Sequence, residues 1–165
     1  MAPYPTKAEI EQLCSALASS DTSPFFSRVA PDVIWDVMGT HPAAGHFTSL
    51  QAWKDAALGT VQKVLKEPLS LKPTNVVGGG DQEWAAVELE ANAVCKNGMP
   101  RSSPAYQQQL ANALPPDQRQ LTHLLGMPYN QRYCWMLRFD RAGTIVQARA
   151  YLDSALVQQA VDSNP

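Results

Sequence analysis

The chain has 165 residues, 45% of them hydrophobic, and a formal net charge of −2. That is enough apolar material for one self-sufficient core, and the expectation is a single domain over 1–165. With Lys and Arg scattered, no basic field exists for nucleic acid or an anionic membrane. No apolar run approaches the roughly 20 residues that span a bilayer.

In chain order, Thr6-Lys7-Ala8-Glu9 has capping-box form, and Ile10, Leu13, Cys14 and Leu17 follow at helical spacing. Ser23-Pro24 opens a second short helix that buries Phe25, Phe26 and Val29. Val33 to Met38 alternates as a strand, and Gly39 to Gly45 reads as a loop. Thr48 or Ser49 caps a third helix carrying Trp53, Ala57, Val61 and Val64, which Pro68 stops. A strand from Leu69 to Val77 turns at Gly78-Gly79-Gly80-Asp81 into Glu83 to Val94, a long polar–apolar alternation. Asn97-Gly98-Met99-Pro100 is echoed by Gly126-Met127-Pro128. Between them, about 101–126, lies an inserted helical hairpin with Tyr106, Leu110, Leu121 and Leu124 on its apolar stripes. Two strands around Tyr129–Trp135 and Ala150–Leu152, joined at Asp140-Arg141-Ala142-Gly143, run into a last short helix.

The three cysteines, Cys14, Cys95 and Cys134, are far apart, lack metal spacing and sit among apolar neighbours. They read as reduced core residues of an intracellular protein, and Met1-Ala2-Pro3-Tyr4 lacks a signal-peptide pattern, so the expected location is cytoplasmic.

This order resembles the cone-shaped α+β fold of the nuclear-transport-factor-two-like superfamily. Three motifs carry the likeness: Trp35-Asp36-Val37-Met38-Gly39-Thr40-His41-Pro42-Ala43-Ala44-Gly45, Asn130-Gln131-Arg132-Tyr133-Cys134-Trp135 and Arg149-Ala150-Tyr151-Leu152-Asp153-Ser154. They look like its ketosteroid-isomerase-related, polyketide-cyclase-like (SnoaL-like) branch, with about 101–126 as the departure. The resemblance implies a curved antiparallel sheet wrapped around the N-terminal helices. It also implies a pocket inside the cone and a homodimer through the outer sheet face. Limonene-epoxide hydrolase, on the same scaffold, has an arginine and an aspartate where this chain resembles it with Glu90 and Asn92. Its second aspartate falls at Ala150, so its hydrolytic set is not preserved.

Within such a pocket, alternate residues of each strand face inward. If the polar face of the long strand does so, Glu88, Glu90 and Asn92 share an apolar cavity, where burial and mutual repulsion raise carboxyl pKa values. Glu90 is then the candidate general base and His41, rigidified by Pro42, its acid–base partner, with Tyr133 and Asn92 stabilising an oxyanion; the alternative for His41 is a loop histidine that only hydrogen-bonds backbone. If that face instead meets solvent, Glu88, Glu90 and Asn92 line the outer sheet and the apolar set fills the core. Trp35, Trp53, Gln131, Trp135 and Glu88 are candidate substrate contacts, as are Tyr106 and His123 if the hairpin closes as a lid. Dinucleotide, phosphate-loop and metal-ligand patterns are missing from the sequence, so the expected chemistry uses no cofactor and no metal. The expected activity is isomerisation, cyclisation or dehydration of a hydrophobic carbonyl-bearing metabolite such as a polyketide, terpenoid or steroid. A binding or carrier protein on the same scaffold is the alternative. The outward face of the last two strands, with Arg132, Cys134, Met136, Arg138, Arg149 and Tyr151, is the expected dimer contact.

Overall fold

The computed structural model describes residues 2–97 and 126–164. The lid reading of about 101–126 rests on residues, Tyr106 and His123 among them, that lie outside the described ones.

Helix α1 (Lys7–Ser15) starts at the Thr6 capping box, where the Glu9 carboxylate reaches back to the Thr6 N–H at 2.7 Å. Helix α2 (Ser23–Phe26) carries Pro24 in its first turn and delivers Phe25 to the core. Strand β1 (Val29–Val37) begins earlier than the alternation suggests, because the donor-less Pro31 sits inside an irregularity of its ladder. The loop expected over Gly39 to Gly45 gives way to a short edge strand, β2 (Gly45–Phe47), which the sequence reading did not contain. Three residues offer no readable period; the pairing is fastened by His46 Nδ1 against Asp36 Oδ1 at 2.6 Å, directly opposite each other.

Ser49 caps α3 (Leu50–Trp53), which runs through a π-helical turn (Lys54–Leu58) into α4 (Gly59–Val64). Strands β3 (Lys72–Gly78), β4 (Trp84–Val94), β5 (Pro128–Phe139) and β6 (Ile145–Leu152) follow, and α5 (Ser154–Asp162) ends the described chain. Asp153 caps α5, its carboxylate accepting from the Ala155 and Leu156 N–H groups.

The six strands form one curled, unclosed sheet in the order β2-β1-β6-β5-β4-β3. The sheet is antiparallel as expected but for one pair: β1 and β6 run parallel, a geometry that the long connection between them permits. Next to the ladder, Cys95 N–H donates to Met127 C=O at 2.8 Å and Met127 N–H to Asn97 C=O at 3.1 Å. Chain therefore leaves β4 and re-enters β5 at facing points.

Hydrophobic burial decides the sheet's two faces. Ala85, Val87, Leu89 and Ala91 of β4 are buried against the helices, while Glu88 and Asn92 are exposed and Glu90 is half-buried on the outer side. This corrects the inward placement of Glu88, Glu90 and Asn92. Glu90 lies opposite Lys72 on β3, with carboxylate and ammonium 3.9 Å apart, on the far side of the sheet from the core.

Candidate functional site

Inside the cone lies a cavity of about 420 Å³, a size suited to a small metabolite. The concave faces of β1, β5 and β6 provide Val37, Tyr133, Trp135 and Ala150, and the α3–α4 helix covers them with Trp53, Ala57 and Val61. The π-helical turn lies at this wall, as such turns often do at ligand sites. The mouth runs between the Ala18–Thr22 segment and the half-exposed Leu58, Gln62 and Leu69.

Aromatic packing makes the walls stiff. Trp35 stacks on Trp53 with ring centroids 4.0 Å apart, and Trp135 stands edge-on to both, at 5.2 and 6.2 Å. Trp53 and Trp135 border the cavity, whereas the fully buried Trp35 packs behind them and touches no ligand space. Phe26 at the mouth carries the Lys54 ammonium 4.3 Å from its ring centre, which ties α2 to the helix opposite.

The polar atoms in the cavity are few. Tyr129 and Tyr133, four apart on β5, share its concave face with hydroxyl oxygens 3.4 Å apart. Burial, followed by the neighbouring Tyr129, holds the Tyr133 phenol well above its ordinary pKa, and burial raises Tyr129 as well. Both stay protonated, and at most one proton lies between the two oxygens, so the pair keeps a donor for a ligand. Sequence reasoning named Tyr133 and missed Tyr129; the i, i+4 spacing on one strand face was the available signal.

His41 borders the cavity and is buried, but both ring nitrogens are engaged by its own loop. The Ala43 N–H donates to Nδ1 at 3.2 Å, so Nε2 carries the proton and donates to the Met38 carbonyl at 3.2 Å. Burial lowers the pKa of the ring against the opposing pull of the Met38 carbonyl. A neutral imidazole with no free lone pair staples the Met38–Ala43 turn. That corrects its reading as an acid–base partner. Gly39, at φ 120°, allows the turn to pass close: a Cβ there would collide with Ser154 Oγ and the His41 ring.

Gln131 is also corrected. It is buried, and its amide is engaged mainly by backbone: Nε2 donates to Asp153 C=O at 3.0 Å, and Oε1 accepts from Asp153 N–H at 2.9 Å and Arg132 N–H at 3.0 Å, while the amide also reaches the neighbouring Tyr129 phenol. It braces β5 against the start of α5. Among the described residues lining the cavity there is no Asp, Glu, Lys or Arg. Of the sequence candidates, the structure gathers Tyr133, Trp135, Trp53 and His41 at the cavity, while Glu88, Glu90 and Asn92 lie across the sheet. The arrangement can hold an uncharged, flat, apolar ligand and donate a hydrogen bond onto one of its oxygens.

No family profile matches the chain. It is 26% identical over 147 residues to "Dimerizing cyclase phiC" of a fungal species, covering 88% of this chain and 53% of that protein. It is 24% identical over 147 residues to "Dimerizing cyclase tstC" of Talaromyces stipitatus, with the same shares. The chain thus spans about half the length of the curated relatives it matches. Among solved structures, an NTF2-like protein from Burkholderia thailandensis E264 superposes with TM-score 0.63 at 17% identity, covering 97% of both chains. TerC, co-crystallized with polyporic acid, superposes with TM-score 0.59 at 16% identity, covering 93% of this chain and 95% of its own. Among the described residues no helix is long and apolar enough to cross a membrane. The chain has the cone-shaped α+β fold of the nuclear-transport-factor-two-like proteins on which it superposes.

Proposed function

We propose that this chain is a cyclase- or isomerase-type enzyme acting on a hydrophobic, uncharged, carbonyl-bearing metabolite. The observation that carries the reading is the buried Tyr129–Tyr133 pair, held protonated, in a mostly apolar cavity without charged lining among the described residues. The relatives' name, dimerizing cyclase, supports ring closure as the reaction class. Polyporic acid in a neighbour of the same fold supports a flat, oxygenated ligand. In the step proposed, an enol carbon of the folded substrate attacks a carbonyl carbon that Tyr133 polarises. A carbon–carbon bond forms and the carbonyl π pair moves onto oxygen, where the phenol's hydrogen bond strengthens as charge develops. The enol proton ends on the new hydroxyl, so the addition consumes no external acid or base. Orientation in a stiff cavity supplies the remainder of the acceleration.

1-Phenylhexane-1,5-dione tests this by ultraviolet absorbance: the enol of its methyl ketone closes to the aldol, whose hydroxyl then leaves as water with a ring C–H proton to give 3-phenylcyclohex-2-enone. The protein should accelerate closure, and Tyr133→Phe should lose on the order of 10²-fold of that effect, as for removal of one oxyanion donor. The missing carboxylate among the described lining residues favours a second reading, a binding or carrier protein. Tight binding of the dione without acceleration selects the carrier.

The outer sheet face supports a homodimer as part of the same proposal. Arg149, Met136, Ala86 and Val77 lie in one cross-strand row, with Val77 62% exposed, and Tyr151 and Cys134 lie in the next. An apolar strip with arginines beside it suits an isologous contact between two copies.

A further inference from the structure

We infer that the cavity has a second donor site, the indole N–H of Trp135, and that its ligand presents two uncharged acceptor oxygens. This rests on the carbonyl-binding reading of Tyr133 and extends it.

Trp135 is 3% exposed and borders the cavity, and its Nε1 is buried with no hydrogen-bond partner among the described residues. Buried donors are almost always paired in folded proteins, because an unmade bond forfeits the hydration that the group had in water. The other such atom among the described residues is Trp35 Nε1. Trp35 does not border the cavity, so ligand space reaches one indole and not the other.

Trp135 and Tyr133 are two apart on β5 and share its concave face. A rise of about 3.3 Å per residue separates their Cα atoms by roughly 7 Å, the spacing of two groups on one small fused-ring ligand. The indole is held by edge contacts to Trp35 and Trp53, so the donor direction is set before binding. With no cation among the described lining residues, an anionic oxygen would be desolvated without compensation. The fitting acceptors are neutral carbonyls of the ketone, lactone, imide or quinone kind. The competing account is an N–H aimed at the Trp35 ring face, which the perpendicular rings permit at 5.2 Å. On that account a second ligand oxygen gains nothing.

Calorimetric titration with N-methylphthalimide, N-methylisoindolinone and indane separates these, since the three share a skeleton and carry two, one and no carbonyl oxygens. The wild-type chain should bind them in that order. Trp135→Phe should lose about fivefold in preference for the phthalimide over the isoindolinone, the worth of one net hydrogen bond. Tyr133→Phe should instead lose preference for the isoindolinone over indane. In the wild-type protein labelled with ¹⁵N-tryptophan, saturation with the phthalimide should move the Trp135 indole proton downfield. This second measurement decides the matter should Trp135→Phe not fold. An unmoved indole proton, or an unchanged phthalimide preference with the Tyr133→Phe effect intact, overturns this inference alone. If the wild type binds none of the three, or Tyr133→Phe changes nothing, the carbonyl-binding reading falls and takes the inference with it.

Discussion

Gln131 connects fold to cavity through three hydrogen bonds at 1% exposure. Gln131→Ala removes the acceptor for two backbone N–H groups, those of Asp153 and Arg132. The Asp153 carbonyl keeps a helical partner in the Val157 N–H at 3.3 Å, so it is only partly stranded. An unpaired buried donor costs about 1–3 kcal/mol. Because Arg132 is an exposed residue, water relieves part of its share, and the total should be about 3 kcal/mol. With an m-value of roughly 2 kcal/mol per molar urea, the midpoint should fall by about 1.5 M at pH 7. Gln131→Glu sharpens the test. Its carboxylate keeps the Oε1 bonds but turns a bare oxygen toward the Asp153 carbonyl, which raises the folded-state pKa above the unfolded value near 4.3. Stability linked to a raised pKa is fully present below the unfolded value and lost as pH rises through the folded one. Gln131→Glu should therefore lie closer to wild type at pH 4 than at pH 7. Equilibrium unfolding at both pH values checks this. A loss below about 1 kcal/mol for Gln131→Ala, or a pH-independent Gln131→Glu, would show that the brace is not what secures α5.

Three further expectations follow from side-chain placement. Glu90→Gln should leave ligand binding and turnover unchanged and shift stability by no more than about 0.5 kcal/mol, because its partner Lys72 is a mostly exposed ammonium 3.9 Å away; a 10²-fold activity loss would restore Glu90 as a base. Burial lowers the His41 pKa, so its neutral form contributes stability above the ordinary histidine value of 6.5 and loses it as pH falls below. The wild-type melting temperature should thus drop between pH 7.5 and 5.5 by more than that of His41→Gln, and equal drops would refute the assignment. Burial pushes the Cys14 thiol up to about 12 and Cys95 to about 11, so native protein should expose at most Cys134 to iodoacetamide, as counted by mass spectrometry.

The elements were legible where a local signal was strong. The Thr6–Glu9 capping box, Pro24 at a helix start and the alternation of β4 all stand where the sequence reading put them. The short β2 was not, since three residues carry no period and its pairing depends on Asp36 meeting His46 across space. The site was harder to read for a different reason. Alternation divides β4 into two faces but does not say which one is inside, and a supposed polar pocket argued for the glutamates. Packing settled it, with both terms favouring one orientation: Ala85, Val87, Leu89 and Ala91 gain by burial, and two carboxylates on the other face escape the cost of desolvation. His41 and Gln131 illustrate a second limit. Each sits where a ligand contact was expected, yet local backbone groups claim their polar atoms, and no one-dimensional pattern reveals that competition.

Assembly joins these points, because the outer face that carries Glu88 and Glu90 is also the face proposed to meet a second copy. Met136 is half-buried at its centre, flanked across the strands by Arg149 and Ala86. Met136→Arg should abolish a homodimer through this face by placing like charges beside Arg149, and since its own sheet tolerates outward arginines at 132 and 138, the monomer should stay folded. Sedimentation at micromolar concentration gives the mass, and circular dichroism the fold. A dimer that survives the substitution would place the contact elsewhere. A wild type that is itself monomeric would overturn the homodimer proposal. Cys134 provides an internal control: in a dimer its alkylation should be slowed, and in Met136→Arg the rate should rise.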